Sequence, residues 1–189
     1  MSLFNLSDYD TVKSPLLNGR YISSSMLNDV LSKLNNNALI EINEIGKSVK
    51  NKPISIIKIG FGSIKIFFWS QMHGNETTTT KAIIDFVNLL VINYDKDLVK
   101  TLLYRCTFYI IPMLNPDGAD AYTRVNANLV DLNRDAQNLS QPESKILRNA
   151  FNKIKPDYCF NLHGQRTIFG TESSGNSAVA SFLAPAQDN

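Results

Sequence analysis

What is scarce in these 189 residues narrows the possibilities first. The chain holds two cysteines and two histidines, so neither a disulfide framework nor a cysteine-rich metal cluster is available to it. No apolar run approaches the ~20 residues that a membrane-spanning helix needs. Charge is thin as well. Nineteen Lys and Arg against seventeen Asp and Glu leave a formal net charge of +2, too small and too scattered for a nucleic-acid footprint. Neither nucleic acid nor membrane is therefore expected as a partner. The opening MSLFNLSDYD has neither the basic region nor the apolar stretch of a secretory signal, which reads as a cytoplasmic chain. What is present is ordinary for a soluble globular protein, with 43% hydrophobic and 19% charged residues. Residues 1–189 fit one domain large enough to bury a substantial core.

Hydrophobic periodicity gives the order of elements. Residues 1–22 read as irregular, and Ser23–Ser25 as the cap of a short helix running to about Leu34. From Leu39 the pattern turns to β: LIEINEIGKSV alternates, and ISIIKIG and SIKIFFWS flank Phe61-Gly62 as a hairpin. KAIIDFVNLLVIN has apolar residues at helical spacing, which predicts a helix from Glu76 to near Asn93. DLVKTLL reads as a short helix, CTFYIIPML as a buried strand, and Asn115-Pro116-Asp117-Gly118 as a turn. PESKILRNAFNKI begins with Pro in its first turn and stops before Pro156, as helices do. DYCFNLH reads as a second buried strand, so Cys106 and Cys159 are both expected to be free buried thiols. Strands alternating with helices predict an α/β fold with helices on both faces of the sheet, and the hairpin makes that sheet mixed.

In such sheets chemistry collects beyond the carboxyl ends of the strands. His73, Asn115 and His163 each follow a strand-like run. Glu76 lies three residues after His73 at a helix start, a spacing that can place both side chains on one side. Two imidazoles and a carboxylate with an open fourth position form the ligand set of a hydrolytic zinc site. On spacing alone, satisfied polar residues and a metal site both fit, and a first-turn Glu76 is also favoured by the helix dipole. Cys159 is excluded as a partner for His163, because four residues of strand cover about 13 Å.

The next segment, NPDGADAYTRVNANLVDLNRD, gathers Arg124, Asp131, Asn133 and Arg134. Together with HGNE before it and the PES helix start and NLH after it, the string resembles the zinc metallocarboxypeptidase family from about Ile54 to His163. The resemblance implies a zinc carboxypeptidase-like fold and one Zn2+ held by His73, Glu76 and His163. Arg124 matches the arginine that polarises the scissile carbonyl. Asn133 and Arg134 match the pair that grips the substrate's terminal carboxylate, for which a guanidinium fork is suited. Asp131 matches the carboxylate that orients the first histidine. The implied partner is a peptide or acyl-amino-acid with a free C-terminal carboxylate. Leu129, Asp135 and Asn161 depart from residues common in the family, and the departures bear on pocket shape more than on the metal.

The resemblance also implies a later glutamate as general base, and after His163 the only glutamate is Glu172. Glu172 reads as a solvated loop residue. The chain is therefore expected to be truncated at its C-terminal side and catalytically silent, with a sheet edge left open to self-association. Two other readings share the residues. An N-acyl-amino-acid deacylase of the aspartoacylase type resembles the chain at HGNE, DLNR and the later histidine, although NPDG and PES favour the peptidase. A non-catalytic zinc- or peptide-binding module is the second.

Overall fold

The computed structural model describes residues 9–164; Glu172 lies outside them. Five strands form one sheet: β1 (Ile40–Lys47), β2 (Pro53–Gly60), β3 (Ile64–Trp69), β4 (Cys106–Ile111) and β5 (Tyr158–Asn161), in the spatial order β1-β2-β4-β3-β5. β1 and β2 form the antiparallel hairpin, β2 and β4 are antiparallel, and β3 runs parallel to both β4 and β5. The mixed sheet expected from the sequence is thus present, but the hairpin is one strand earlier than expected. β2 and β3 do not pair, because β4 lies between them.

The Gly60–Gly62 link shows why. It passes under the start of β4, where the Phe61 amide donates to Leu103 O at 2.8 Å and the Gly62 amide to Cys106 O at 3.3 Å. A Cβ on Gly62 would sit 1.8 Å from the Arg105 carbonyl carbon, and one on Gly60 2.3 Å from Cys106 O. Phe61-Gly62 is therefore a crossing point, whose two glycines allow backbone to meet backbone.

Side-chain alternation along the strands divides the core into two layers. Ile57 and Ile59, with Phe108 and Ile110, pack beneath α2 (Ser24–Leu34), α3 (Thr77–Ile92) and α4 (Asp97–Arg105). Ile54 and Ile56, with Phe67 and Ile111, face α6 (Pro142–Ile154) on the other side. Helices thus cover both faces. Fully buried residues such as Ile57, Ile84, Val87 and Ile110 each stabilise the fold by roughly 1.5–3 kcal/mol. Among the described residues no helix is long and apolar enough to cross a membrane.

Three local expectations are corrected. Residues before Ser23 include a one-turn helix, α1 (Tyr9–Val12), held because the Tyr9 hydroxyl and the Ser14 amide both bond Asp85 of α3. The Asn115–Gly118 turn continues into a short helix, α5 (Pro116–Ala121), since Asn115 caps it by accepting from the Gly118 amide at 2.8 Å and Pro116 suits the first position. β5 is exposed along its length, and with it Cys159, whereas Cys106 is buried as expected. The reason is position: among the described residues β5 pairs only with β3.

Leu129, in the loop between α5 and α6, is 81% exposed with φ +61°. A left-handed backbone costs an L-residue about 1–2 kcal/mol, and glycine escapes that cost while losing about 0.5–1 kcal/mol to chain entropy. Leu129→Gly should therefore raise the melting temperature, by up to about 2–4 °C for a chain of this size. A lower melting temperature in thermal denaturation would show that the Leu129 side chain contributes more than its backbone costs.

Candidate metal centre

The carboxyl ends of β4, β3 and β5 lie side by side, with Trp69 in register with Ile111 on one flank and Asn161 on the other. Each strand then delivers a polar segment to the same end of the sheet. Beyond β3 the chain turns sharply: Gln71 adopts φ +46° and is fully buried. Its side-chain amide donates to Gly74 O at 2.8 Å and its carbonyl accepts from Thr80. The turn brings His73 back over the sheet and places Glu76 at the N-cap of α3.

α3 begins with four threonines, poor helix formers in isolation. Tertiary bonds support them here, since Thr77 Oγ1 reaches Arg20 O and Thr80 Oγ1 reaches Pro112 O. Glu76 stands at the N-cap but makes no side-chain cap bond. Its carboxylate turns toward the histidines instead. His73 Nδ1 lies 2.8 Å from Oε1, His163 Nδ1 lies 3.0 Å from Oε2, and the Gly164 amide donates to Oε2 at 2.9 Å. One ligand atom from each of His73, Glu76 and His163 lies within 4.8 Å of the others. His73 is buried, while the His163 side chain is 34% exposed.

Electrostatics sharpen the geometry. Burial would raise the Glu76 carboxyl, but hydrogen bonds from His163, His73 and the Gly164 amide outweigh it and hold the group well below the usual carboxylate range. The other face of His73 meets Asp131, with Nε2 3.0 Å from Oδ1. Asp131 is likewise lowered. Burial opposes ionisation there, and bonds from His73, the Asn133 amide and Arg124 prevail. An ionised Asp131 can instead hold the ring proton at Nε2, which would free Nδ1 as a lone-pair donor to a cation in place of its bond to Glu76. The donor set of two imidazoles and a carboxylate therefore fits a zinc ion.

The remaining residues anticipated from the sequence are distributed around this point. Arg124 Nε donates to Asp131 Oδ2 at 3.0 Å and its Nη1 lies 3.6 Å from Glu76 Oε1. Asn133 lies two residues after Asp131 and lines a largely apolar cavity of about 240 Å³ with Trp69, Leu132 and Leu147. Arg134 is exposed, and its side chain forms no hydrogen bond or ion pair among the described residues. The structure thus brings His73, Glu76, His163, Asp131 and Arg124 together and leaves Arg134 reaching into solvent.

Residues that the sequence reading passed over hold these in place. A Cβ on Gly74 would lie 1.9 Å from the Gly118 carbonyl carbon, so the HGNE and NPDG segments touch through bare backbone. Asn115 secures the contact by donating to Met72 O at 3.2 Å. Asn126 accepts from the amides of Asn128 and Val130 and donates to Gln141 and to Glu143, which is fully buried. Asp135 accepts from the amides of Ser140 and Gln141. Burial works against its ionisation, yet bonds from the Ser140 hydroxyl and these amides hold it down to about 2. Asn115 carried a signal, an asparagine beside proline in a turn-forming run, whereas Asn126 and Asp135 carried none of that kind.

Comparison with known proteins agrees with this construction. The sequence matches the zinc carboxypeptidase family over residues 27–138, more than half of the chain. It is 34% identical to carboxypeptidase SOL1 of Arabidopsis thaliana over 137 residues, 64% of this chain and 28% of that protein. It is 31% identical to gamma-D-glutamyl-L-diamino acid endopeptidase 1 of Lysinibacillus sphaericus, across 69% of this chain and 37% of that one. The fold superimposes on a putative carboxypeptidase A from Shewanella denitrificans with a TM-score of 0.71 and 26% identity, covering 77% of this chain and 40% of the other. The chain belongs to the zinc carboxypeptidase family. It spans about a third of the length of the curated relatives it matches.

Proposed function

We propose that the chain carries the metal-binding and substrate-orienting part of a zinc metallocarboxypeptidase, which removes the C-terminal residue of a peptide by attack of water. His73, Glu76 and His163 hold one Zn2+ in this reading. The observation that carries it is the Glu76 carboxylate facing two imidazole Nδ1 atoms, with Asp131 fixing the tautomer of the first. When bound, zinc supplies Lewis acidity and lowers the pKa of a coordinated water toward ~7. Arg124, poised between Asp131 and Glu76, is placed to donate to the scissile carbonyl oxygen as negative charge develops there. Asn133 and Arg134 take the terminal carboxylate, which confines cleavage to the last residue. The deacylase reading would share every one of these roles, and an N-acetyl amino acid offered beside a peptide separates the two.

Metal analysis tests the first part. Wild-type chain should bind zinc one to one, and His163→Ala should abolish stoichiometric zinc; unchanged zinc content would put the site elsewhere. A second expectation concerns Arg134. Arg134→Ala should weaken binding of peptides with a free carboxylate by about 2–4 kcal/mol more than that of their C-terminal amides. Equal effects on acid and amide would remove Arg134 from this role.

A third expectation is catalytic silence of the zinc-loaded 189 residues. The carboxylates at the site among the described residues, Glu76 and Asp131, are engaged by histidines, so no free general base stands beside the metal. General-base catalysis typically contributes about 10²–10⁴ in rate. Release of C-terminal aromatic, aliphatic, basic or acidic residues should therefore stay near background. Turnover abolished by Glu172→Gln would identify that residue as the base and overturn the expectation.

A further inference from the structure

Beside the metal centre lies a second recognition feature with no role in the scheme above. Arg20 is exposed, and its Nε donates to the Tyr122 hydroxyl at 2.9 Å while its guanidinium carbon sits 5.9 Å from the centre of that ring. Tyr21 meets the same ring edge-on, at 4.3 Å between centroids. The cluster is fixed at both ends. Arg20 O accepts from Thr77 Oγ1 at 2.8 Å, one residue past Glu76, and Ser24 is bonded to Asp120 through both its amide and its hydroxyl. Tyr122 holds a left-handed backbone, φ +52°, two residues before Arg124.

The charge around this cluster is unbalanced. Arg20 has no carboxylate partner among the described residues, and with Nε committed to Tyr122 both terminal nitrogens of its fork remain available. Lys81, which bonds Gly19 O, adds a second cation on the same flank. The nearest acids are already occupied: Asp120 by Ser24 and Lys52, Asp85 by Tyr9 and Ser14. A guanidinium whose orientation is set in advance by a phenol and a ring face is prepared for bidentate pairing with a carboxylate.

Contacts also give the direction. The Asn133 amide bonds Asp131; Asp131 bonds His73 and Arg124; His73 and Arg124 approach Glu76; and Thr77, next in the chain, bonds Arg20. Asn133 and Arg20 therefore lie at opposite ends of one run of contacts, with the metal ligands between. A peptide that has its last carboxylate at the Asn133 end and crosses Arg124 would run on along these contacts toward Arg20. We propose that Arg20, backed by Tyr21 and Tyr122, forms a subsite for a carboxylate-bearing residue on the amino side of the scissile bond. The proposal rests on the carboxypeptidase reading of the metal centre.

The test measures binding, so it needs no turnover. Zinc-loaded chain is titrated with fluorescently labelled peptides that have free C-termini and carry Glu, Gln or Lys at the two positions before the last residue. The Glu peptide should bind about fivefold tighter than the Gln peptide, the scale of an exposed ion pair. Arg20→Glu should reverse the order in favour of Lys, and Arg20→Lys should keep part of the preference for Glu. A purely structural role would weaken all three peptides alike; that result, or no preference in the wild-type chain, overturns the proposal. If Arg20→Glu lowers the melting temperature, Arg20→Gln serves instead and should erase the Glu preference alone. Zinc removal and C-terminal amidation are run in parallel. Binding indifferent to both refutes the carboxypeptidase reading and this subsite with it, whereas binding sensitive to both but blind to upstream charge refutes only the subsite.

Discussion

One carboxylate organises the functional end of this molecule. Glu76 draws His73 from the turn after β3, His163 and the Gly164 amide from beyond β5, and Arg124 from the loop after α5. Three segments distant in sequence thus meet on two oxygen atoms. The cost is visible at the start of α3, where Glu76 leaves the helix N-terminus without a side-chain cap. Its anionic form is stabilised by donors on every side, and those donors position the histidines in turn. Removing this group would leave His73 and Arg124 held only by Asp131, and His163 without its carboxylate partner.

A second tier holds the meeting point rigid. The Gly74–Gly118 backbone contact, the Asn115 bond to Met72 O and the Asn126–Glu143 bond are buried and join segments well separated along the chain. Low local dielectric makes such bonds strong when complete and costly when broken. They therefore fix the loop that carries Arg124, Asp131 and Asn133 almost as firmly as a strand would. This is how a stretch without regular structure can present three side chains at defined positions.

The motifs were legible because the chemistry imposes residue types. HGNE and NLH sit where strand ends were expected, and Asp131 and Arg124 lie within reach of His73 and Glu76. Helices α2, α3 and α6 were readable from their periodicity and their punctuation by serine, proline and asparagine. Strand pairing was not. Alternation in ISIIKIG and SIKIFFWS identifies two strands but carries no information about their neighbours, and insertion of β4 between them is a decision of the whole sheet. The exposure of β5 and Cys159 escaped for the same reason: DYCFNLH has the composition of an interior strand, while its burial depends on what lies beside it. Asn126 and Glu143 were hidden in plain sight, since a buried amide and a solvated one are spelled alike.

The strand order has a consequence for how the molecule assembles. The β1–β2 hairpin is local and can close early, but β3 has no partner until α3 and α4 have formed and β4 has crossed back to fill the gap. β5 can dock only after that, upon β3. His73 and Glu76 are neighbours from the outset, whereas His163 arrives from 87 residues away. The last of the proposed ligands thus follows the last strand among the described residues. Closing so long a loop is entropically unfavourable, and a cation that binds only the completed triad returns free energy at that final step. In the proposed reading, capture of the ion is therefore coupled to the docking of β5 and would act as a latch on it.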